Sequence, residues 1–272
     1  MSRSDTNQQP ENSATKKIEQ IWSGVWRSQQ NLGSEAFFSH PLFLSGYRAM
    51  TRYLGDLRGK VLEAGGGTGR YGIKLASDNP GCQVDVVDIS ADSISMGVRL
   101  AQERGVSNVE FKIADLMRLP FDDNHYDCVI SDAVIQVFDD YSAAVREMAR
   151  VLKPGGVMII SGCNFWNLHT AYKWLLSVTG RAYQYGYEKS FTHHELAVAV
   201  RGCGLQVIAA DGFAPGYGAA RLRFLPFRFL GRLIDLLAFF GDRVANGRVS
   251  KIFGFEIMVV AVKPGAADAQ HS

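Results

Sequence analysis

A chain of 272 residues can form one large domain or two small ones around a sizeable core. Its 47% apolar and 21% charged residues, with 28 glycines against 8 prolines, exclude a disordered, collagenous or peptide-sized protein. Lysine and arginine number 29 against 27 aspartates and glutamates, and the formal charge of +2 excludes the electrostatic footprint of a protein that grips nucleic acid along its length.

The first fifteen residues, rich in Ser, Asn, Gln and Asp, are expected to be a disordered tail and lack the apolar core of a signal peptide. Ile18, Ile21, Trp22, Val25 and Trp26 then recur at i, i+3, i+4, i+7 and i+8, which is one face of a helix. A second helix is signalled by Ser39 as its cap, Pro41 in its first turn, the stripe Phe43, Tyr47, Met50, Leu54, and Gly55 as its stop. From Lys60 short β-branched runs alternate with helical stretches, and Val61–Glu63, Gln83–Asp88, Val109–Ile113, Tyr126–Ser131 and Val157–Ser161 read as strands. This alternation predicts an α/β fold with a parallel sheet covered on both faces. In RVLKPGG, Arg150 to Gly156, the proline and glycines are read as ending a helix and launching the fifth strand.

Farther along, a helix is expected from near Thr192 and strands at Leu205–Ala209 and Phe255–Val262. Residues 213–250, rich in Phe, Leu and Arg, read as an inserted helical lid. Cys82, Cys128, Cys163 and Cys203 form no C-x-x-C pair, so neither a metal site nor a disulfide framework is expected, and reduced cytosol is the expected compartment. No run of eighteen uncharged apolar residues could cross a bilayer.

The most informative stretch is VLEAGGGTGR, where a strand ends in Glu63 and runs directly into Gly65, Gly66, Gly67 and Gly69. Such glycines let the backbone turn sharply and bring its N–H groups against a ligand at the mouth of the next helix. The string from Gly67 to Gly72 also satisfies the G-x-G-x-x-G pattern of dinucleotide sites. A pyrophosphate would be repelled by Glu63, whereas the ammonium and sulfonium of S-adenosylmethionine would be attracted to it.

Glu63-x-Gly65-x-Gly67-x-Gly69 resembles motif I of the class I S-adenosylmethionine-dependent methyltransferases, most closely the small-molecule group that includes quinone-biosynthesis enzymes. Other pieces follow in that family's order: Asp88 in VDVVDIS, Asp115 in KIADLMRLPF, YDCVISDAV and RVLKPGG, together covering about residues 60–161. The resemblance implies that Glu63 and the glycines hold the methionine end, Asp88 the ribose hydroxyls, and Asp115 with Leu116 and Ile89 the adenine, and it adds Ser131 to the cofactor site. Asp88 and Asp115 also suit loop-capping and N-cap roles, which remain open at this point. The implied fold is a Rossmann-like, doubly wound, seven-stranded, mostly parallel sheet with an antiparallel last strand, N-terminal helices and the helical lid. The implied organisation is a tail over 1–15, one methyltransferase domain over 16–263 and a tail over 264–272. Within the domain lie cap helices at 16–55, a cofactor-binding core at 60–161 and the lid at 213–250.

For the acceptor, His193 and His194 are the candidate catalytic bases. Thr192 and Glu195 form a capping box that puts both in a helix's first turn, where the positive helix end keeps imidazole neutral, although solvated first-turn residues would look the same. His40 is a weaker candidate. The loop Ser131-Asp132-Ala133-Val134 lacks the motif of amino-methylating nucleic-acid enzymes, and its neighbours offer an apolar wall; Tyr183, Tyr185 and Tyr187 offer aromatic ones. Between Leu222 and Phe240 a broad apolar face is flanked by Arg221, Arg223, Arg228 and Arg232. Such a helix either meets a membrane interface or a lipid-shaped pocket, or packs against the body or a second copy. The expected activity is methyl transfer to oxygen or carbon of a hydrophobic small-molecule or lipid-linked acceptor, with no nucleic-acid partner and with peripheral membrane contact through 222–240. A nicotinamide-dependent oxidoreductase and a non-catalytic cofactor-binding protein are the rival readings.

Overall fold

A computed structural model of the chain describes residues 13–29, 33–181, 183, 185–220, 229–237, 240 and 247–265. Three helices come first: α1 (Ser13–Gln29), α2 (Ser34–Phe38) and α3 (Pro41–Thr51). Ser13, Ala14 and Thr15, assigned to the tail by composition, are helical. Pro41 opens α3 as expected, but its N-cap is His40, not Ser39. Ser39 instead closes α2 and donates its hydroxyl to the Glu35 carbonyl, because five residues ahead of it form a helix that periodicity is too short to reveal.

The alternating core follows as β1 (Gly59–Ala64), α4 (Arg70–Asp78), β2 (Cys82–Asp88), α5 (Ala91–Glu103), β3 (Val109–Ile113), β4 (Tyr126–Ser131), α6 (Tyr141–Val151) and β5 (Leu152–Cys163). After it come α7 (Leu168–Val178), α8 (His193–Arg201), β6 (Gln206–Phe213), α9 (Tyr217–Ala220), a helical stretch over 229–237 (α10), α11 (Arg248–Phe253) and β7 (Glu256–Val262). The strands form one seven-stranded sheet in the order β3-β2-β1-β4-β5-β7-β6, with β7 antiparallel to both of its neighbours. Pro154, Gly155 and Gly156 lie inside β5 and not ahead of it. Helix α6 passes straight into the strand at Leu152, and the pairing register with β4 shifts there. No pattern had marked α7; Asn167 starts it by accepting from the His169 N–H.

Both sheet faces are buried, which is why β1, β2 and β4 read as nearly continuous apolar runs. On one face Val61, Val84 and Val86 pack with Phe43, Met50, Ile73 and Leu100. On the other, Leu62, Val129 and Ile160 pack with Met148, Leu196 and Val259. The strand order reverses between β1 and β4, and in such sheets the crevice for a ligand opens at the carboxyl ends of the strands beside that switch point.

The expected lid falls partly outside the described residues, including Arg221, Leu222, Arg223 and Arg228. Of the described part, α10 is anchored where the Asp235 carboxylate accepts from the Gly216 N–H at 2.7 Å. Phe229, Leu236 and Leu237 stay exposed. Most of the chain expected as the tail over 264–272 likewise lies outside the described residues.

Candidate active site

A cavity of about 360 Å³ opens at the switch point. Its inner half is built by the turn from β1 into α4. Gly65, Gly67 and Gly69 all have positive φ, at 71°, 57° and 70°, which side chains rarely adopt. Space demands glycine as well: a Cβ at Gly65 would run into Val134, and one at Gly67 into the Trp26 indole that covers the loop from α1. The Gly67 N–H donates to Asp88 at 2.8 Å and so ties the loop to the end of β2.

Asp88 also accepts from the Ser90 N–H at 2.9 Å and the Ser93 hydroxyl at 3.2 Å. Burial raises its pKa, and these donors pull it back down. Its carboxylate lines the cavity with acceptor capacity left over. Ile89, Asp115 and Leu116 line the same half. Asp115 turns the chain by accepting from the Met117 N–H at 2.9 Å.

Glu63 is 2% exposed, lines the cavity and accepts from the Gly72 N–H at 2.7 Å, filling the N-terminal end of α4. Desolvation pushes its carboxyl up to about 8, with the Asp132 charge adding to the rise and backbone N–H groups and Arg70 opposing it. The sign is therefore that of an acid raised on folding. The neutral form is favoured, and the stability it confers is lost as pH climbs from the ordinary carboxylate range toward 8. A bound ammonium reverses this by favouring the anion. At pH 6.5, where an α-amino group is cationic, binding of S-adenosylhomocysteine is expected to release a proton from the wild type and none from Glu63→Gln. Calorimetry in buffers of different ionisation enthalpy reads the difference; equal release from both proteins would refute it.

The outer half of the cavity is aromatic. Trp22 and Trp26 from α1 roof it, with Trp22 stacked on Tyr185 at a centroid distance of 5.8 Å. Phe37 and Phe43, Phe138, Tyr217 and Phe255 form its walls. Polar groups break this lining at Asp132, Gln136, Glu188, Glu256 and His40. Glu188 is buried in an ion pair with Lys173 at 3.2 Å and accepts from Gln136 at 2.7 Å.

Of the residues expected at the site, Glu63, Gly65, Gly67, Asp88, Ile89, Asp115 and Leu116 come together on the cavity wall. Gly69 supports it from behind as the N-cap of α4. Ser131 is not on the wall: it is fully buried and donates its hydroxyl to the Ala64 carbonyl at 2.9 Å, joining β4 to β1. His193 and His194 are not on the wall either. The capping box forms as expected, but α8 packs against β6 and β7, at the sheet edge away from the switch point. The His193 Nε2 is hydrogen-bonded to the Asp211 carbonyl at 2.8 Å, and burial lowers its pKa. The histidine that does line the cavity is His40, and of the three tyrosines it is Tyr185. Sequence reasoning missed Asp132 and Glu256. Asp132 was legible as the acid directly after β4, while nothing local marks Glu256. None of α10 lines the cavity, whose roof is α1.

The donor set fits S-adenosylmethionine: an acid at the helix mouth for the ammonium, an acid at the end of β2 for vicinal hydroxyls, and apolar Ile89 and Leu116 on the same wall for a flat ring. A methyltransferase-domain family profile matches residues 57–196. A ubiquinone/menaquinone biosynthesis C-methyltransferase of Pseudomonas putida is 34% identical over 160 residues, 56% of this chain and 59% of that protein. This chain thus spans well under two thirds of that relative's length. The like-named protein of Ectopseudomonas oleovorans is 34% identical over 156 residues, 54% of this chain and 87% of that one. In fold, geranyl diphosphate C-methyltransferase from Streptomyces coelicolor A3(2), solved with S-adenosyl-L-homocysteine, aligns with a TM-score of 0.65 at 16% identity over 94% of this chain and 100% of that one. Together with the carboxylate at the glycine turn, these likenesses set the nicotinamide reading aside: the chain belongs to the class I S-adenosylmethionine-dependent methyltransferases.

Proposed function

We propose that the protein methylates the oxygen or carbon of a hydrophobic acceptor, either a small molecule or one carrying a lipid tail. The observation that carries this reading is the continuity of one cavity from Asp88 and Glu63 to the aromatic chamber under Trp22 and Trp26. Bound at the inner half, the cofactor supplies an electrophilic methyl group on a sulfonium. The chain's own part is alignment and exclusion of water, an effect worth ~7–11 kcal/mol when donor and acceptor are held in line. The aromatic roof serves both, since it leaves the acceptor apolar surface to stack on and little room for solvent. The curated relatives, named for C-methylation in quinone biosynthesis, support an aromatic-ring acceptor. Incubation with methyl-labelled cofactor is expected to label 1-naphthol and prenylated hydroquinones and to leave phosphoethanolamine unlabelled. Labelling of the polar compound alone would defeat the reading.

A tail-bearing acceptor would be collected from a bilayer, and one side of the molecule suits that. Trp166 and Trp174 are 65% and 67% exposed, with Phe165, Leu175 and Val178 exposed beside them on and before α7. Asn167 at the start of α7 bonds the Phe253 carbonyl of α11, which brings exposed Ile252 and Phe253 to the same side. Arg248 and Lys251 of α11, and Arg181 just after α7, complement anionic lipid, with Trp at the level where headgroups begin. Co-sedimentation with phosphatidylglycerol vesicles is expected to weaken about tenfold in Trp166→Ser/Trp174→Ser and to fall with salt. Sedimentation unaffected by both would exclude this surface.

A further inference from the structure

Asp132 follows β4 directly and lines the cavity where its inner and outer halves meet, with Glu63 and Val134 on the wall beside it. It is held there by an unusual backbone, for Ala133 has φ 56°, a left-handed conformation costly for a residue with a Cβ. Ser161 of β5 fixes the loop by accepting from the Ala133 N–H at 3.1 Å. The same hydroxyl lies 2.5 Å from Asp132 Oδ1 and 3.0 Å from Glu256 Oε2 of β7.

Counting protons orders this chain. The Ser161 hydroxyl has one proton to give, and the short contact assigns it to Asp132; the contact to Glu256 then needs a proton that Glu256 supplies. Glu256 is 3% exposed, and burial beside Asp132 keeps its carboxyl protonated, far above the ordinary range. Of these two acids on the cavity wall, Asp132 is the carboxylate, at the end of a relay, and Glu256 the neutral acid. The other titratable groups facing this cluster are Tyr71 and Arg70 of α4, Glu63 of β1, Glu188 ahead of α8, and His40 across the cavity. Burial raises the Asp132 carboxyl above its ordinary range, and hydrogen bonds from Ser161, Glu256 and Tyr71 together with the Arg70 charge oppose the rise.

We propose that Asp132 receives the acceptor's proton during methyl transfer, so that the acceptor belongs to the class bearing a hydroxyl, or a carbon made acidic by one, at its reacting end. This rests on the methyl-transfer reading above. The acceptor's oxygen or carbon forms the bond to the methyl carbon, and the carbon–sulfur electron pair stays on sulfur. The proton the acceptor loses passes to the Asp132 carboxylate and from there to solvent. Ser161 and Glu256 are positioning residues: they hold Asp132 toward the cavity and keep one negative charge, not two, on the Asp132–Glu256 pair.

The test uses the whole chain with S-adenosylhomocysteine in place and compares 1-naphthol with naphthalene by calorimetry. The wild type is expected to prefer the hydroxyl-bearing ring by about tenfold, as a hydrogen bond to a charged group provides. Asp132→Asn is expected to lose that preference while holding S-adenosylhomocysteine within about threefold of wild type. With labelled cofactor its turnover of 1-naphthol should fall by about 10²-fold or more, and the acid limb of the rate–pH profile should vanish. Ser161→Ala, a smaller perturbation, should move that limb without removing it, which a purely structural role would not do. A naphthol preference that survives Asp132→Asn, or an unchanged acid limb as His40 would give, overturns the proposal. If wild type binds naphthol through Asp132 but transfers no methyl group to it or to prenylated hydroquinones, the proposed function fails at the transfer and the proton-accepting role fails with it, while the hydroxyl contact stands.

Discussion

Asp88→Asn is expected to weaken S-adenosylhomocysteine binding by about 10²-fold or more, measured by calorimetry at neutral pH. The substitution keeps the size of the side chain and one carbonyl acceptor, but removes the charge from the group proposed to hold the ribose. Hydrogen bonds to a charged group contribute ~1.5–3 kcal/mol each, and two vicinal hydroxyls make two of them. Part of the loss falls on the protein itself, since the amide has fewer acceptor sites to divide among Gly67, Ser90 and Ser93. A loss below about threefold would remove Asp88 from the cofactor site.

Gly67→Ala is expected to cost at least as much through a different route. The backbone at φ 57° disfavours any side chain by ~1–2 kcal/mol, and the added methyl also meets the Trp26 ring. The protein has two ways to relieve that contact: flatten the loop, which breaks the bond from Gly67 to Asp88, or lift α1, which unroofs the cavity. Either route removes part of the cofactor site, so affinity should fall by about 10²-fold with a thermal midpoint only a few degrees lower. Pairing with Trp26→Ala separates the two terms. If the double variant regains affinity, the collision dominates; unchanged affinity assigns the loss to the backbone. Wild-type affinity in the single variant would mean that the loop and its cover are not rigidly apposed.

The legible parts of the molecule were those written locally. The strands of the core announced themselves by unbroken runs such as VDVVD, because a parallel strand buried on both faces must be apolar throughout. Glu63, the glycines, Asp88 and Asp115 could be read because each stands at the end of a strand or within a turn, where a few neighbours fix the backbone. The capping box at Thr192 was read correctly for the same reason. Its histidines were misplaced because a capping motif says where a helix starts, not which side of the sheet it covers. Glu256 was invisible for the complementary reason: it meets Ser161 across 95 residues of chain, and only the antiparallel insertion of β7 between β5 and β6 brings it there. Helix α7 went unread because its apolar residues run around the helix, and Trp174 and Leu175 face outward.

The cover over the cavity is fastened at a telling place. The Ser23 hydroxyl of α1 meets that of Ser90 at 2.9 Å, and Arg27 pairs with Asp92 at 3.4 Å; the partners are the N-cap and a first-turn residue of α5, which begins just after Asp88. The latch and Asp88 therefore share one short piece of backbone. Since Trp22 and Trp26 of α1 cover the outer half of the cavity and the glycine loop, a movement at the start of α5 that loosens the latch also moves the backbone that carries Asp88. The kinetic consequence is an expectation that exchange of spent for fresh cofactor depends on the N-terminal helix and its serine–serine clasp, separately from the proton transfer proposed at Asp132. Acceptors of quite different reactivity would then share one turnover ceiling.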